Sequence, residues 1–267
     1  MLRDITLGQY YQTDSVIHRL DPRVKLVTTL CFIISLFLVD NWIGYAIAGL
    51  FLLLVIKLSR VPFKFMVRGM KAIVFLLLIA VFFNLFLTPG EHVLVTIWKF
   101  TITKEGVRLA SFMAVRLVFL IMGSSVMTLT TTPNNLTDAI EKLLGPLKVI
   151  KVPVHEIAMM MSIALRFIPI LLEETDKIMK AQIARGADFE SGNLIKKAKS
   201  LVPLLVPLFI SAFRRANDLA MAMEARCYRG GEHRTKMKPL TYRKRDGIAY
   251  GIVVCYLALC IVCGRIL

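Results

Sequence analysis

Five long apolar runs, separated by polar and basic segments, dominate the chain. They cover residues 26–39, 42–56, 72–88, 106–129 and 247–264. A helix that crosses a bilayer needs about 20 apolar residues, and the first two runs are shorter than that. One helix through both of them would place Asp40 in lipid, at a high cost in free energy. The pattern therefore predicts a hairpin of two helices that turns at Asp40-Asn41, and about five transmembrane helices in all.

Lysine and arginine are concentrated beside some of these runs, which predicts how the helices are oriented. Five lie between residues 57 and 71 and four lie before residue 26, whereas the turn at Asp40 has none. The positive-inside rule then places the N-terminus and residues 130–246 in the cytoplasm, although Lys99 and Lys104 fall on the outer side. We expect an N-terminal segment with four transmembrane helices (1–131), a cytoplasmic helical module (132–245) and a C-terminal transmembrane helix (246–267).

Two long amphipathic helices are predicted within the cytoplasmic module. The first follows Pro153, which suits the first turn of a helix, and the second covers about residues 194–229. Apolar residues recur along each helix in alternating steps of three and four, which is typical of a packing seam. The first seam comprises Ile157, Met161, Ala164, Ile168, Leu171, Thr175, Ile178 and Gln182, and the second Ile195, Ala198, Val202, Leu205, Phe209, Ala212, Ala216, Leu219 and Met223. One further step along each seam reaches Arg185 and Arg226.

Both arginines lie between small residues, in Ala184-Arg185-Gly186 and Ala225-Arg226-Cys227. Small neighbours let a partner approach the backbone, and a guanidinium offers five donors in a rigid fork that suits carboxylates and carbonyls. Two such helix ends indicate paired docking points for a partner with two similar halves. The alternative is structural, because an arginine near a helix C-terminus also complements the helix dipole and helps to end the helix.

The composition narrows the class of protein. Of the 267 residues, 57% are hydrophobic, the mean hydropathy is +0.67 and the formal net charge is +16. Because the basic clusters adjoin apolar runs and no nucleic-acid recognition motif accompanies them, the charge favours the lipid bilayer over nucleic acid. The histidines have no metal-ligand spacing. Cys31, Cys255, Cys260 and Cys263 lie in apolar runs, and Cys260-x-x-Cys263 has the spacing of a redox or metal pair. Because that helix is predicted to face lipid and no histidine lies nearby, we expect this pair to be small buried apolar residues.

Arg116 lies inside the fourth apolar run, where a charge is costly. A functional role is the first interpretation of such a residue. The simpler interpretation, which we favour, is that its side chain extends to the membrane surface or pairs with a polar group among the helices.

Four segments of the chain together resemble the transmembrane coupling (T) component of energy-coupling factor transporters, which are prokaryotic ABC-type importers of vitamins and metal ions. The segment Leu20-Asp21-Pro22-Arg23-Val24-Lys25 is similar to the family's Leu-Asp-Pro-Arg-x-Lys signature, and Arg166-Phe167-Ile168-Pro169 to its Arg-Phe-x-Pro segment. The two arginine-containing tripeptides resemble its two Ala-Arg-Gly motifs, except that Cys227 replaces a glycine. This departure speaks against a need for extreme backbone flexibility at Cys227.

The resemblance implies an all-α polytopic membrane protein with about five transmembrane helices and long crossing cytoplasmic coupling helices, in a prokaryotic cell membrane. The transmembrane helices would hold a small vitamin-binding S component, and each arginine motif would dock on one of two ATP-binding cassette subunits. ATP would be bound by those partners, because this chain has no phosphate-binding Gly-x-x-x-x-Gly-Lys-Ser/Thr loop. It would hold no cofactor, metal or catalytic residue, and Asp21, Pro22, Arg23, Arg166 and Pro169 would be structural.

Three other functions fit parts of the sequence. A conventional ABC permease subunit would form the transport path itself, but long helices with two arginine ends are not typical of that class. An intramembrane protease could use Glu173-Glu174, yet this pair is predicted outside the membrane and no apolar run contains histidine. A receptor or scaffold would need an output domain, for which the sequence gives no sign.

Overall fold

The computed structural model describes residues 10–87, 92–97, 100–187, 189, 194–231, 235, 237 and 239–266. They belong to two compact units. The membrane unit comprises residues 8–139 and 240–267, and the helix-pair unit comprises residues 140–239. The divisions fall at 139/140 and 239/240, compared with the 131/132 and 245/246 expected from the sequence.

Helices make up almost all of the described chain. The membrane unit contains α1 (Pro22–Leu38), α2 (Trp42–Ser59), α3 (Phe63–Leu87), α4 (Lys104–Thr130) and α8 (Lys244–Ile266). The short helix α5 (Pro133–Leu143) leads into the helix-pair unit, which continues with a 3-10 segment (Gly145–Ile150), α6 (Val154–Ala184) and α7 (Leu194–Ala225). The predicted turn at Asp40-Asn41 is confirmed, because α1 ends at Leu38 and α2 begins at Trp42.

A small β-hairpin interrupts the helical pattern between α3 and α4. Strand β1 (Val93–Ile97) pairs antiparallel with β2 (Phe100–Thr103), with Ile97 opposite Phe100. The pattern of apolar runs predicts only a loop between two spans here, and that prediction was incomplete. The residues Val-Leu-Val-Thr-Ile and Phe-Thr-Ile-Thr are rich in the β-branched and aromatic types that favour strands. Thr103 then caps α4 by accepting a hydrogen bond from the backbone of Gly106 at 3.1 Å.

The core of the membrane unit lies where α1, α2, α4 and α8 meet. Phe51 of α2 stacks on Tyr256 of α8 with ring centroids 4.4 Å apart, and the Tyr256 hydroxyl bonds to Ser35 Oγ of α1 at 2.7 Å. Gly123 of α4 provides the space that Phe32 occupies, because a Cβ at this position would lie 2.8 Å from the Phe32 ring. These contacts show why a hydroxyl can be buried among apolar helices without loss of hydrogen bonding.

Several helices in the described chain are long and apolar enough to cross a membrane. They are α2, α4, α6 and residues Lys244–Cys263 of α8, and a shorter apolar stretch covers Leu77–Phe86 of α3. The chain is therefore an all-α, multi-pass membrane protein. The presence of α6 among these helices differs from the sequence analysis, which places it in the cytoplasm. Its apolar character comes mainly from its first half, because five charged residues lie between positions 173 and 180.

The cysteines of the apolar runs do not share one environment. Cys260 is buried in the core of the membrane unit, Cys31 and Cys263 are half-buried, and Cys255 is exposed. The expectation of small buried residues is thus confirmed for Cys260, whereas Cys263 is only half-buried. A lipid-facing position of a helix accepts an apolar side chain as readily as the core does, so the sequence alone does not distinguish the two.

Candidate coupling site

Polar contacts set the alignment of α6 with α7. Glu174 accepts hydrogen bonds from Ser211 Oγ at 2.5 Å and from Arg215 Nη2 at 2.6 Å. Closer to the C-terminus of α6, Gln182 Nε2 donates to the backbone carbonyl of Pro203 at 3.3 Å. A step forward along α6 is thus a step backward along α7, and the two helices are antiparallel.

Both arginine tripeptides end their helices with the same hydrogen-bond pattern. At the end of α6, Gly186 N–H donates to Ile183 O at 2.9 Å and Ala187 N–H to Gln182 O at 2.9 Å. This is the pattern of a Schellman motif, in which the residue after the cap has left-handed backbone angles. Gly186 has φ of +85°, and Arg185 is the C-cap residue.

The end of α7 repeats this arrangement one residue for one. Cys227 N–H donates to Glu224 O at 2.8 Å, and Tyr228 N–H donates to Met223 O at 3.1 Å. Arg226 therefore occupies the position of Arg185, and Cys227, with φ of +54°, that of Gly186. The third residue of each tripeptide must accept left-handed angles, which glycine does freely and cysteine at some cost in free energy.

The two arginines lie at opposite ends of the helix pair. Arg226 lies beside Met159, near the start of α6, in an open concavity of about 470 Å³ that Met223 and Tyr228 also line. Arg185 lies at the other end of α6, which corresponds to about 40 Å from Met159 at the helical rise per residue. Both arginine side chains are exposed. Each is therefore accessible to a different partner, or to a different part of one large partner.

The observed packing faces differ from the predicted seams in part of each helix. Ile157 and Met161 of the first seam are each 42% exposed, whereas Val154 and Ala158 of α6 are buried. In the second seam, Val202, Leu205 and Phe209 are 52–66% exposed, and Leu204 is the buried residue of that stretch. The prediction was wrong there because residues 201–213 are apolar nearly all around α7, so periodicity does not select one face.

A histidine connects the start of α6 to the segment after α7. His155 Nδ1 forms a hydrogen bond with Glu141 Oε1 of α5 at 2.9 Å, and both side chains are largely buried. Gly231 packs directly against the His155 ring, so closely that a Cβ at this position would overlap the ring atoms. The segment that follows Arg226 is thereby held against α6. This contact is not predictable from the sequence, because nothing in the spacing connects a single histidine with a Gly-Gly break.

The chain is similar to known proteins over nearly its whole length. Residues 13–237 match the family model CbiQ, described as "Cobalt transport protein". The chain is 58% identical over 268 residues to "Energy-coupling factor transporter transmembrane protein EcfT" of Clostridium kluyveri, covering 100% of this chain and 97% of the relative. A protein of the same description from Bacillus subtilis is 48% identical over 246 residues, covering 92% and 93%.

The chain belongs to the energy-coupling factor T-component family. The recognition made from the four sequence segments is confirmed.

In this T component, the signature residues Asp21, Pro22 and Arg23 join the starts of α1 and α8. Asp21 caps α1 by accepting from Arg23 N–H at 2.9 Å, Pro22 occupies the first turn, and Asp21 N–H donates to Asp246 Oδ1 at 2.9 Å. The Arg23 guanidinium donates to Asp21 Oδ2 at 2.9 Å and to Leu240 O at 3.1 Å. Burial raises the pKa of the Asp21 carboxyl, but the hydrogen bonds from Arg23 together lower it by more. The pKa of Asp21 therefore lies below its usual value.

Arg166 and Pro169 of the family's Arg-Phe-x-Pro segment lie within α6. Both are exposed, and α6 continues through Pro169 without a break. The structure thus places this segment far along α6 from Arg185, and it does not bring either residue to an arginine-containing helix end.

Arg116 of the T component is bound at the turn between α1 and α2. Its Nε donates to the Tyr45 hydroxyl at 2.9 Å, and its Nη2 lies 3.2 Å from Asp40 Oδ1. The expectation that Arg116 pairs with a polar group among the helices is confirmed. Asp40 was not expected as a partner because it lies in the turn and not inside another span.

Proposed function

We propose that this T component transmits movement from two ATP-binding cassette subunits to a small membrane-embedded S component that binds the transported vitamin. The observation that carries the proposal is the repetition of one helix-ending motif, with an exposed arginine at its cap, at both ends of the antiparallel pair α6–α7. A partner with two similar subunits offers two similar grooves, one for each arginine. This chain then couples ATP hydrolysis to transport while its partners bind and hydrolyse the ATP.

The contact between α6 and α7 suits such transmission. Glu174 receives one hydrogen bond from a neutral hydroxyl, Ser211, and one from a guanidinium, Arg215. Bonds that involve charged groups are stronger than neutral ones, so the two helices are held firmly at this crossing. A displacement at either arginine is then carried along a stiff helix instead of being lost in a flexible loop.

The exposed apolar face of α7 supports a second contact. Val202, Leu205, Phe209 and Phe213 are more than half exposed in this chain. Apolar patches of this kind mark sites of protein or membrane contact. We propose that this face meets the S component or the underside of the membrane, with the helix pair on the cytoplasmic side together with the N-terminus.

The docking role is tested by charge reversal at each arginine. Arg185→Glu and Arg226→Glu, separately and together, are compared with Arg214→Glu, which reverses an exposed arginine of α7 away from either end. We expect each of the first two variants to reduce co-purification of ATP-binding cassette subunits in mild detergent, and the double variant to abolish both co-purification and substrate uptake in proteoliposomes. The control should retain both.

Two results would contradict the proposal. One is that native complexes contain no ATP-binding cassette subunit, which would return the permease, protease and scaffold alternatives. The other is that Arg226→Glu leaves assembly and uptake unchanged. Arg226 would then only help to end the helix.

A further inference from the structure

A narrow apolar groove runs between α1, α2, α4 and α8 of the membrane unit. Its volume is about 130 Å³, and Phe32, Leu52, Val126 and Val253 form its floor. Its outer edge is formed by Leu54 and Ile252, which are 50% and 51% exposed. The groove is therefore open to whatever surrounds these helices, and in a membrane protein the surroundings are acyl chains.

The polar end of this groove is closed by Lys25. Its ammonium group is buried and donates to Thr130 O at 2.8 Å and to His18 O at 3.2 Å. Because these carbonyls occupy the ammonium group, the groove itself offers an apolar wall to an occupant. Burial of hydrocarbon against an apolar wall is favourable, so this groove suits a length of hydrocarbon chain.

A basic pocket adjoins the groove. Its volume is about 430 Å³, and Asp14, Arg19, Lys57 and Arg60 line it. Leu58 lines both spaces, so the pocket lies next to one end of the groove. Three basic side chains face one carboxylate there, which leaves an excess of positive charge.

The groups in the basic pocket influence one another. The guanidinium of Arg19 donates to Asp14 Oδ1 at 2.6 Å, so this carboxylate is already engaged. The hydrogen bond from Arg19 lowers the pKa of the Asp14 carboxyl, and the charge of Arg60 adds to the effect. Lys57 lies in the last turn of α2, and Arg60 is its C-cap residue with φ of +55°. Both therefore project where the apolar length of α2 ends.

We propose that the groove and the basic pocket together bind one anionic phospholipid, with part of an acyl chain in the groove and the phosphate between Lys57 and Arg60. A zwitterionic lipid fits the groove equally well but brings its own cation to a pocket that is already positive. A free phosphate fits the pocket but leaves the groove unused. The direct juxtaposition of hydrocarbon-sized space and excess positive charge therefore selects an anionic lipid.

The test is native mass spectrometry of the full chain, purified in mild detergent. Phosphatidylglycerol is titrated against phosphatidylcholine with the same acyl chains, on the unmodified protein and on Lys57→Gln/Arg60→Gln. We expect the unmodified protein to retain one phosphatidylglycerol in preference to phosphatidylcholine. The double variant should bind phosphatidylglycerol on the order of tenfold more weakly, because each basic residue near the headgroup contributes to binding.

A matched control variant comes from the 3-10 segment. Lys148→Gln/Lys151→Gln also removes a lysine from a last turn and a basic C-cap residue with φ of +61°. This control changes the net charge equally but should leave lipid retention unchanged. Equal retention of the two lipids, or an equal loss in the control, would overturn the proposal.

Two further probes separate the parts of the ligand. Dihexanoyl phosphatidylglycerol carries the headgroup with short chains, and we expect it to bind more weakly than the long-chain lipid. Binding of equal strength would show that the groove contributes nothing and would overturn the proposal. Displacement of the long-chain lipid by inorganic phosphate at millimolar concentration would assign the pocket to free phosphate and would overturn it as well.

Discussion

Gly186 and Cys227 occupy the same position in two copies of one helix-ending motif. The left-handed backbone angles of that position cost glycine less free energy than cysteine. Both have positive φ, at +85° and +54°. A side chain at Gly186 would meet no other atoms within 4 Å, so only the backbone angles oppose a substitution there. Cysteine at 227 carries the corresponding backbone cost, and the hydrogen-bond pattern of the motif is nonetheless retained there.

These angles predict opposite effects of exchanging the residues. We expect Cys227→Gly to raise the unfolding temperature of the purified protein and Gly186→Ala to lower it, each by the equivalent of about 1 kcal/mol. Differential scanning fluorimetry in detergent provides the measurement. Gly145→Ala is the control, because Gly145 has no neighbouring atoms and no positive φ. A lower unfolding temperature for Cys227→Gly would show that the thiol makes a stabilising contact.

At the residue scale, the sequence predicts local features of the helices but not contacts between distant segments. Spacing along the helices identified Arg185 and Arg226 as equivalent, because helix periodicity is a local property. The hydrogen bond between Asp21 and Asp246 could not be predicted from the sequence, since 225 residues separate the partners. A single aspartate near the start of an apolar helix gives no indication of which backbone N–H groups it will accept from.

At the scale of elements, α6 and α7 depend on contacts at their ends as well as along their length. The contact of Glu174 with Ser211 lies about two-thirds of the way along α6, and the contact of Gly231 with His155 lies at its start. The seams predicted from the sequence were correct in their period but wrong about the packing face in the first part of each helix. An apolar residue that faces a partner and one that faces its own neighbouring helix look alike in a sequence.

The close contact at Gly231 can be tested by adding one methyl group. We expect Gly231→Ala to displace the His155 ring, weaken its hydrogen bond with Glu141 and cost about 1–3 kcal/mol in unfolding free energy, as overpacking does. In a His155→Ala background, which lacks the ring, Gly231→Ala should be nearly neutral. A double-mutant cycle from thermal unfolding gives the coupling. Additive effects of the two substitutions would mean that the ring and residue 231 do not meet.

At the scale of the whole molecule, the main question is on which side of the membrane α6 lies. Length and composition alone allow α6 to cross a bilayer. Its second half, however, contains Glu173, Glu174, Asp176, Lys177 and Lys180, and each charge at membrane depth is costly. These charges and the basic residues of the loops both favour the topology that we propose, in which the helix pair is cytoplasmic.

Two surface positions at opposite ends of α6 decide this topology. Lys151→Cys and Lys180→Cys, introduced singly into a cysteine-free background, place a thiol just before α6 and within its last turns. We expect a membrane-impermeant maleimide to label both in inside-out vesicles and neither in right-side-out vesicles. Labelling of the two thiols from opposite sides would show that α6 spans the membrane. A cysteine at Arg60, which is also expected in the cytoplasm, serves as the reference position.

The crossing at Glu174 has a mechanical consequence for the two arginines. Arg185 lies about 17 Å along α6 from Glu174, and Arg226 lies about 20 Å along α7 from the midpoint of Ser211 and Arg215. Glu174 therefore lies nearly midway between the two arginines along the antiparallel pair. Rotation of one helix against the other by about 10° would move each end by about 3 Å. In the proposed function, equal and opposite displacements of the two arginines would consequently turn α6 against α7 without shifting the contact at Glu174.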